Sequence, residues 1–171
     1  MLKKLVDKLT KQADGKDVRI LWMGDNRSMS LGIKRLKMYY ASIDTEYITF
    51  IDDDDDVSND YVDSLLYAIE QHPVDLINFK MLYTNGRQQY EVRFGSKLEN
   101  KNYKNYFERT SHTLMCWRWA VIHPKAYSSE TFGEDTHYAV EMSPRVQSEF
   151  NIDKILYFYN YNRDTSTQPH L

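Results

Sequence analysis

Residues 46–60 read EYITFIDDDDDVSND, an apolar β-prone run that ends in five consecutive carboxylates. The run EYITFI predicts a buried strand. Ser58 or Asn59 then predicts the N-cap of a helix, with Val62, Leu65, Leu66 and Ile69 at core spacing. Like charges this close repel and raise one another's pKa values. Something must compensate, and a divalent cation is the simplest candidate.

Three meanings of the aspartate run compete. A solvated acidic loop is the ordinary one, but this run is held between a strand and a helix. A calcium loop of the form D-x-D-x-D-G-x5-E matches at Asp52, Asp54 and Asp56. It fails where Val57 replaces the glycine and Asp63 the glutamate, and the preceding segment reads as strand rather than helix. The third meaning is a Mg²⁺ or Mn²⁺ site, in which one or two carboxylates leave positions open for a ligand's phosphates. Its partner would be a nucleoside diphosphate, with the metal stabilising the leaving group.

Outward from this stretch the chain alternates elements. MLKKLVDKLTKQ is an amphipathic helix with Leu2, Leu5, Val6 and Leu9 on one face, and VRILWM after the ADGKD turn predicts a strand. GDNRSMS is a loop feeding the helix LGIKRLKMYYAS. VDLINFKMLY and QQYEVRF form a hairpin about TNGR, GEDTHYAVEM is helical, and DKILYFYNYN is a last strand. The order predicts one α/β domain over residues 1–171, with an open, largely parallel sheet flanked by helices. In such sheets ligands bind beyond the carboxyl ends of the strands, which puts Asp25 and Asp52–Asp56 on one rim.

Composition narrows the chemistry. The formal net charge of -3 gives no global basic field for nucleic acid. The single Cys116 excludes an internal disulfide and a cysteine-based zinc site. There is no P-loop, no G-x-G-x-x-G and no G-x-S-x-G elbow. No apolar run approaches the ~20 residues of a membrane span, and the N-terminus is no signal peptide, so a cytoplasmic location is expected.

The motifs resemble those of inverting family-2 glycosyltransferases with a GT-A (Rossmann-like) fold. EYITFIDDDDDVSNDYV is similar to that family's eYi-flDsDD-----yl segment, and SLGIKRLKMYYASIDTEY to its G---aRN-gl--A-geY. VRILWMGDNRS stands in the place of eiivvDDgS, FGEDTHYAVEM of f-EDxdf, and IDKILYFYNYNRDTS of id-plyyYr-n--S. The family's RN is Arg35-Leu36 here, its DD before GS is Gly24-Asp25, and its first strand with the ViiPtyN loop has no counterpart. The compact SLG-KR and IDDDDDVS pieces look most like enzymes of bacteriophage genomes, which would place the protein in a host cytoplasm.

The resemblance implies metal-dependent, inverting transfer of a sugar from a nucleotide-sugar, UDP favoured, to an acceptor hydroxyl. Asp25 would contact the base, Arg35 the base or diphosphate, and Asp52 and Asp53 the donor. Asp54 would be the main Mn²⁺ or Mg²⁺ ligand, with Asp52 beside it and His137 or His170 as a possible completion. Asp135, or failing it Glu134, would be the general base. Trp117, Trp119 and His112 are acceptor candidates, the two indoles sharing a face if the segment is extended. The acceptor would be a glycan or a hydroxymethylated pyrimidine in phage DNA. A non-catalytic remnant that binds metal or nucleotide, or pairs with another subunit, is the competing expectation, and an oligomer is compatible with either.

Overall fold

The structure, a computed structural model, describes residues 2–26 and 28–161; His170 lies outside them. Helix α1 (Leu2–Ala13) buries Leu5 and Leu9, as its apolar stripe requires. Helix α2 (Leu31–Ala41) starts at Ser30, whose Oγ accepts the Ile33 N–H at 3.3 Å. Helix α3 (Tyr61–Gln71) buries Val62 and Leu65, and α4 (Glu134–Met142) buries Tyr138 and Met142.

The expected cap of α3 is replaced by a tertiary one. Asp60 occupies the N-cap position without a side-chain cap bond. Instead, Gln12 of α1 accepts the Val62 N–H at 3.0 Å and donates to the Ser58 carbonyl at 2.9 Å. An amide side chain from a neighbouring helix satisfies the orphan donor, so α1 and α3 are tied end to end.

Among the described residues the sheet has eight strands, centred on β3 (Leu76–Thr84). The parallel strand β8 (Glu149–Asn160) runs along one edge of β3. The other edge is shared: Leu76 and Ile77 pair with β7 (Cys116–Arg118), and Met81–Thr84 pair with β4 (Gln89–Gly95). Strand β1 (Tyr47–Ile48) pairs with β7, and β2 (Asp56–Val57) pairs with β8. Strand β6 (Tyr106–Thr110) lies parallel to β4 and carries β5 (Lys101–Asn102) on its far side. The core gathers the fully buried Trp117, Tyr61, Tyr138, Tyr157 and Leu76.

The α/β class and the open sheet match expectation, but the largely parallel sheet does not. Among the described residues, five of the seven strand pairings are antiparallel. The reason is local: a tight turn such as the one at Gly86 (φ 76°) joins only antiparallel neighbours, whereas parallel pairing needs a long crossover. The predicted strand VRILWM is also absent as a paired element. Val18–Met23 finds no strand partner among the described residues, and Trp22 is left 65% exposed. EYITFI pairs only at Tyr47 and Ile48, because β7 is just three residues long.

Candidate active site

The site is assembled on α2. Gly32 lets that helix approach the segment ahead of α4: a Cβ there would lie 2.0 Å from the Ser128 carbonyl oxygen, and the Gly32 N–H bonds to the Glu130 carbonyl at 3.1 Å. One turn later, Arg35 reaches the start of α4 and the end of the EYITFI run together.

Arg35 is 2% exposed and its guanidinium serves carboxylates throughout. Nη2 meets Asp52 Oδ1 at 2.8 Å, and Nη1 meets Glu134 Oε1 at 2.5 Å, Asp135 Oδ1 at 2.7 Å and Thr113 Oγ1 at 2.6 Å. Burial works against its charge, but Asp135, Asp52 and Glu134 outweigh burial and raise its pKa. Arg35, expected beside the base or diphosphate, lines the cleft and directs its hydrogen bonds to these carboxylates and Thr113. It fixes Asp52 and Asp135 at the two ends of one planar fork.

Glu134 and Asp135 are driven apart. Burial first, then the charge of Asp135, pushes the Glu134 carboxyl up. Burial also opposes ionisation of Asp135, but His112 and Arg35 hold that carboxyl well below the usual range. Thr113 Oγ1 donates to Asp135 Oδ1 as well. The Asp135 side chain still keeps 40% of its surface open, so a ligand can reach it. The pair therefore sets a carboxyl raised at Glu134 beneath a carboxyl lowered at the accessible Asp135.

The five aspartates go separate ways. Asp52 turns to Arg35, and Asp53 and Asp54 are exposed. Asp55 is buried; its Oδ2 accepts from the Tyr157 hydroxyl at 2.6 Å and its Oδ1 from the Asn160 N–H at 3.3 Å. Burial raises its pKa to about 7 against those bonds. The same Tyr157 oxygen accepts the Asp52 N–H at 3.1 Å. Asp56 pairs with Lys8 at 2.8 Å. Burial, with Asp52 and Asp53 nearby, raises Asp54. Among the described residues no three His, Cys, Asp or Glu side chains converge on a metal cage. Two open carboxylates at a strand end fit an ion that completes its shell with phosphates and water.

The other candidates fall into place around this core. Asp25 Oδ1 pairs with Lys34 at 2.5 Å, and its Oδ2 accepts the Met29 N–H at 2.8 Å, so it organises the loop ahead of α2. His137 is exposed and its Nε2 lies 3.1 Å from the Lys125 carbonyl, not against a carboxylate of the run. Trp117 is 1% exposed, donates to the His112 carbonyl at 2.9 Å and meets Tyr138 edge-on, which removes it from any sugar-stacking role. Trp119 begins a 3-10 turn and stacks on Tyr39 at 4.8 Å, and Tyr39, Tyr127 and Tyr138 link it to Trp117 in one aromatic cluster. His112 Nδ1 is buried 3.4 Å from Asp135 Oδ1 without hydrogen-bond geometry, which does set it beside the acidic pair. Thr113 and Tyr157 were not legible as site residues: Thr113 belongs to no charged or periodic motif, and Tyr157 reads only as part of the last strand.

A cleft of about 860 Å³ opens beside the site. Asp25, Arg35, Asp52 and Asp53 are among its polar lining, and Leu5, Leu9, Leu65 and Ile69 among its apolar lining.

No protein-family model and no curated protein matches the chain. Solved structures do. S. aureus TarS 1-349 in complex with UDP-GlcNAc is similar at TM-score 0.62 and 18% identity, over 92% of this chain and 46% of that one. The UDP complex of the same protein gives 0.57 and 17%, over 92% and 48%. The chain thus spans about half the length of these neighbours. The likeness establishes the GT-A glycosyltransferase fold.

Proposed function

We propose that the chain is a glycosyltransferase that takes a sugar from a nucleotide-sugar, UDP favoured, and passes it with inversion to an acceptor hydroxyl. The observation that carries this reading is the convergence of Asp52 and Asp135 on the two arms of one buried guanidinium. A donor-side and an acceptor-side carboxylate are thereby held in fixed relation on a GT-A fold, whose neighbours include complexes with UDP and UDP-GlcNAc.

In this reading Asp135 accepts the proton of the acceptor hydroxyl as its oxygen attacks the anomeric carbon and the bond to the diphosphate breaks. Its low pKa keeps it ionised but weakly basic, so proton transfer falls late, when the attacking oxygen is already acidified by bonding. Asp54, with Asp52 or Asp53, would hold Mn²⁺ or Mg²⁺, which when bound neutralises charge on the departing diphosphate. Asp25 keeps the loop ahead of α2, which borders the cleft, in shape for the base, and His112 borders the acceptor side. A glycan is the acceptor class favoured by the absence of a global basic field, ahead of modified DNA.

The broad cleft favours one second reading, a non-catalytic GT-A protein that binds metal or nucleotide or serves as a partner subunit. Thermal unfolding with UDP, GDP and their sugars, each with and without Mn²⁺, separates the cases. A nucleotide-specific, Mn²⁺-dependent rise in midpoint that Asp54→Asn abolishes supports the donor site. A folded protein that responds to no nucleotide defeats the catalytic reading.

A further inference from the structure

Asp135 is anchored through one oxygen only. Arg35 Nη1 at 2.7 Å, the Thr113 hydroxyl and His112 Nδ1 at 3.4 Å all meet its Oδ1. Among the described residues no hydrogen bond or ion pair reaches its Oδ2, while 40% of the side chain stays open.

Arg35 cannot place that carboxylate alone. Its Nη1 carries two hydrogens and faces three oxygens, those of Glu134, Asp135 and Thr113. The Thr113 hydroxyl supplies the missing donor: it accepts from Nη1 at 2.6 Å and gives its own hydrogen to Asp135 Oδ1. A hydroxyl has one hydrogen to give, so Asp135 receives it and Glu134, bonded to the same Nη1, does not. Thr113 is 1% exposed, and its branched side chain has little freedom at χ1. The turn that carries it is tied down as well. The Met115 N–H and the Trp117 indole both donate to the His112 carbonyl, at 3.0 and 2.9 Å, and Thr49 Oγ1 donates to the Leu114 carbonyl at 3.0 Å.

We propose that Thr113 is the positioning residue of the acidic pair, holding Oδ1 of Asp135 so that Oδ2 is the oxygen that takes the acceptor's proton. The inference rests on the glycosyltransferase reading and deepens it. In the step, the proton of the acceptor hydroxyl moves to Oδ2 and the electron pair left on its oxygen forms the bond to the anomeric carbon. The pair of the broken carbon–oxygen bond departs with the diphosphate, and Oδ2 returns its proton to water across the open part of the side chain.

The test follows UDP release from UDP-GlcNAc with Mn²⁺ by the full chain, with water as the acceptor. Thr113→Val and Thr113→Ala both remove the hydroxyl, so either serves if the other fails to fold, and Thr113→Ser keeps it. Without the hydroxyl, kcat should fall about 10–100-fold at unchanged KM for UDP-GlcNAc, while Thr113→Ser stays within about threefold of the parent. On an Asp135→Asn background the same loss should lower kcat no further, because Thr113 acts through Asp135. An unchanged kcat, a Ser variant as slow as the Val variant, or an undiminished further loss on Asp135→Asn overturns the inference and leaves the glycosyltransferase reading standing. A parent that releases no UDP overturns that reading, and the inference with it.

Discussion

The acidic pair on α4 and the aspartate run after β1 are both crowded with like charge, and the protein relieves them in opposite ways. Glu134 and Asp135 are gathered around one buried cation, with the first carboxyl raised and the second lowered. The run from Asp52 to Asp56 is dispersed: one carboxylate to Arg35, one into the core, one to Lys8, and two left facing out. The first arrangement fixes geometry, and the second leaves open ligands. A site that must hold one group rigidly and accept another from solution needs both.

Arg35→Met breaks the comparison most severely. Three carboxylates lose their shared partner, and removing one side of a buried ion network costs about 3–5 kcal/mol, to be read by urea unfolding. Arg35→Lys should recover only part, since an ammonium cannot span the fork. Asp135→Asn should keep the fold and lower sugar transfer by about 10²–10⁴-fold, measured as UDP release with acceptor present. An active Asp135→Asn protein would move the base to Glu134.

Asp55 sharpens the dispersed side through pH. Its folded pKa is raised, so the native state binds the extra proton between the ordinary carboxylate pKa and about 7. Its contribution is full below the unfolded pKa and is lost as pH climbs to about 7. The loss is at most about 1.4 kcal/mol for each pH unit crossed in that window. Asp55→Asn should match the parent at pH 4 and exceed it in stability at pH 8. The smallest effect belongs to Asp53→Asn, whose exposed carboxylate should change stability by less than about 0.5 kcal/mol. Calorimetry across pH tests both.

Much of this was written in the chain. The helices follow their apolar spacing, and the hairpin about TNGR was announced by its turn residues. Arg35, Asp52, Glu134 and Asp135 were marked by motif and do meet. What sequence could not convey was partnership. VRILWM has strand composition but no neighbour, so composition alone predicted a strand that pairing did not supply. The pair Trp117 and Trp119 looked like a platform because spacing of two implies one face, yet both rings pack into the cluster of Tyr39, Tyr127 and Tyr138. Thr113 and Tyr157 are neutral hydroxyls whose roles depend on elements far apart in sequence, which no local pattern encodes.

Tyr157 also sets an order of events. Its hydroxyl oxygen ties Asp52 to Asp55, and it sits on β8, whose parallel partner β3 lies about seventy residues earlier. During synthesis the apolar Leu76–Leu82 is made long before the strand that covers its edge, so closure of that long loop governs the folding rate and the aggregation risk. Asp55 cannot assume its final direction until β8 arrives. A nascent chain halted before Tyr157 would have every aspartate of the run and nothing to tie Asp52 to Asp55.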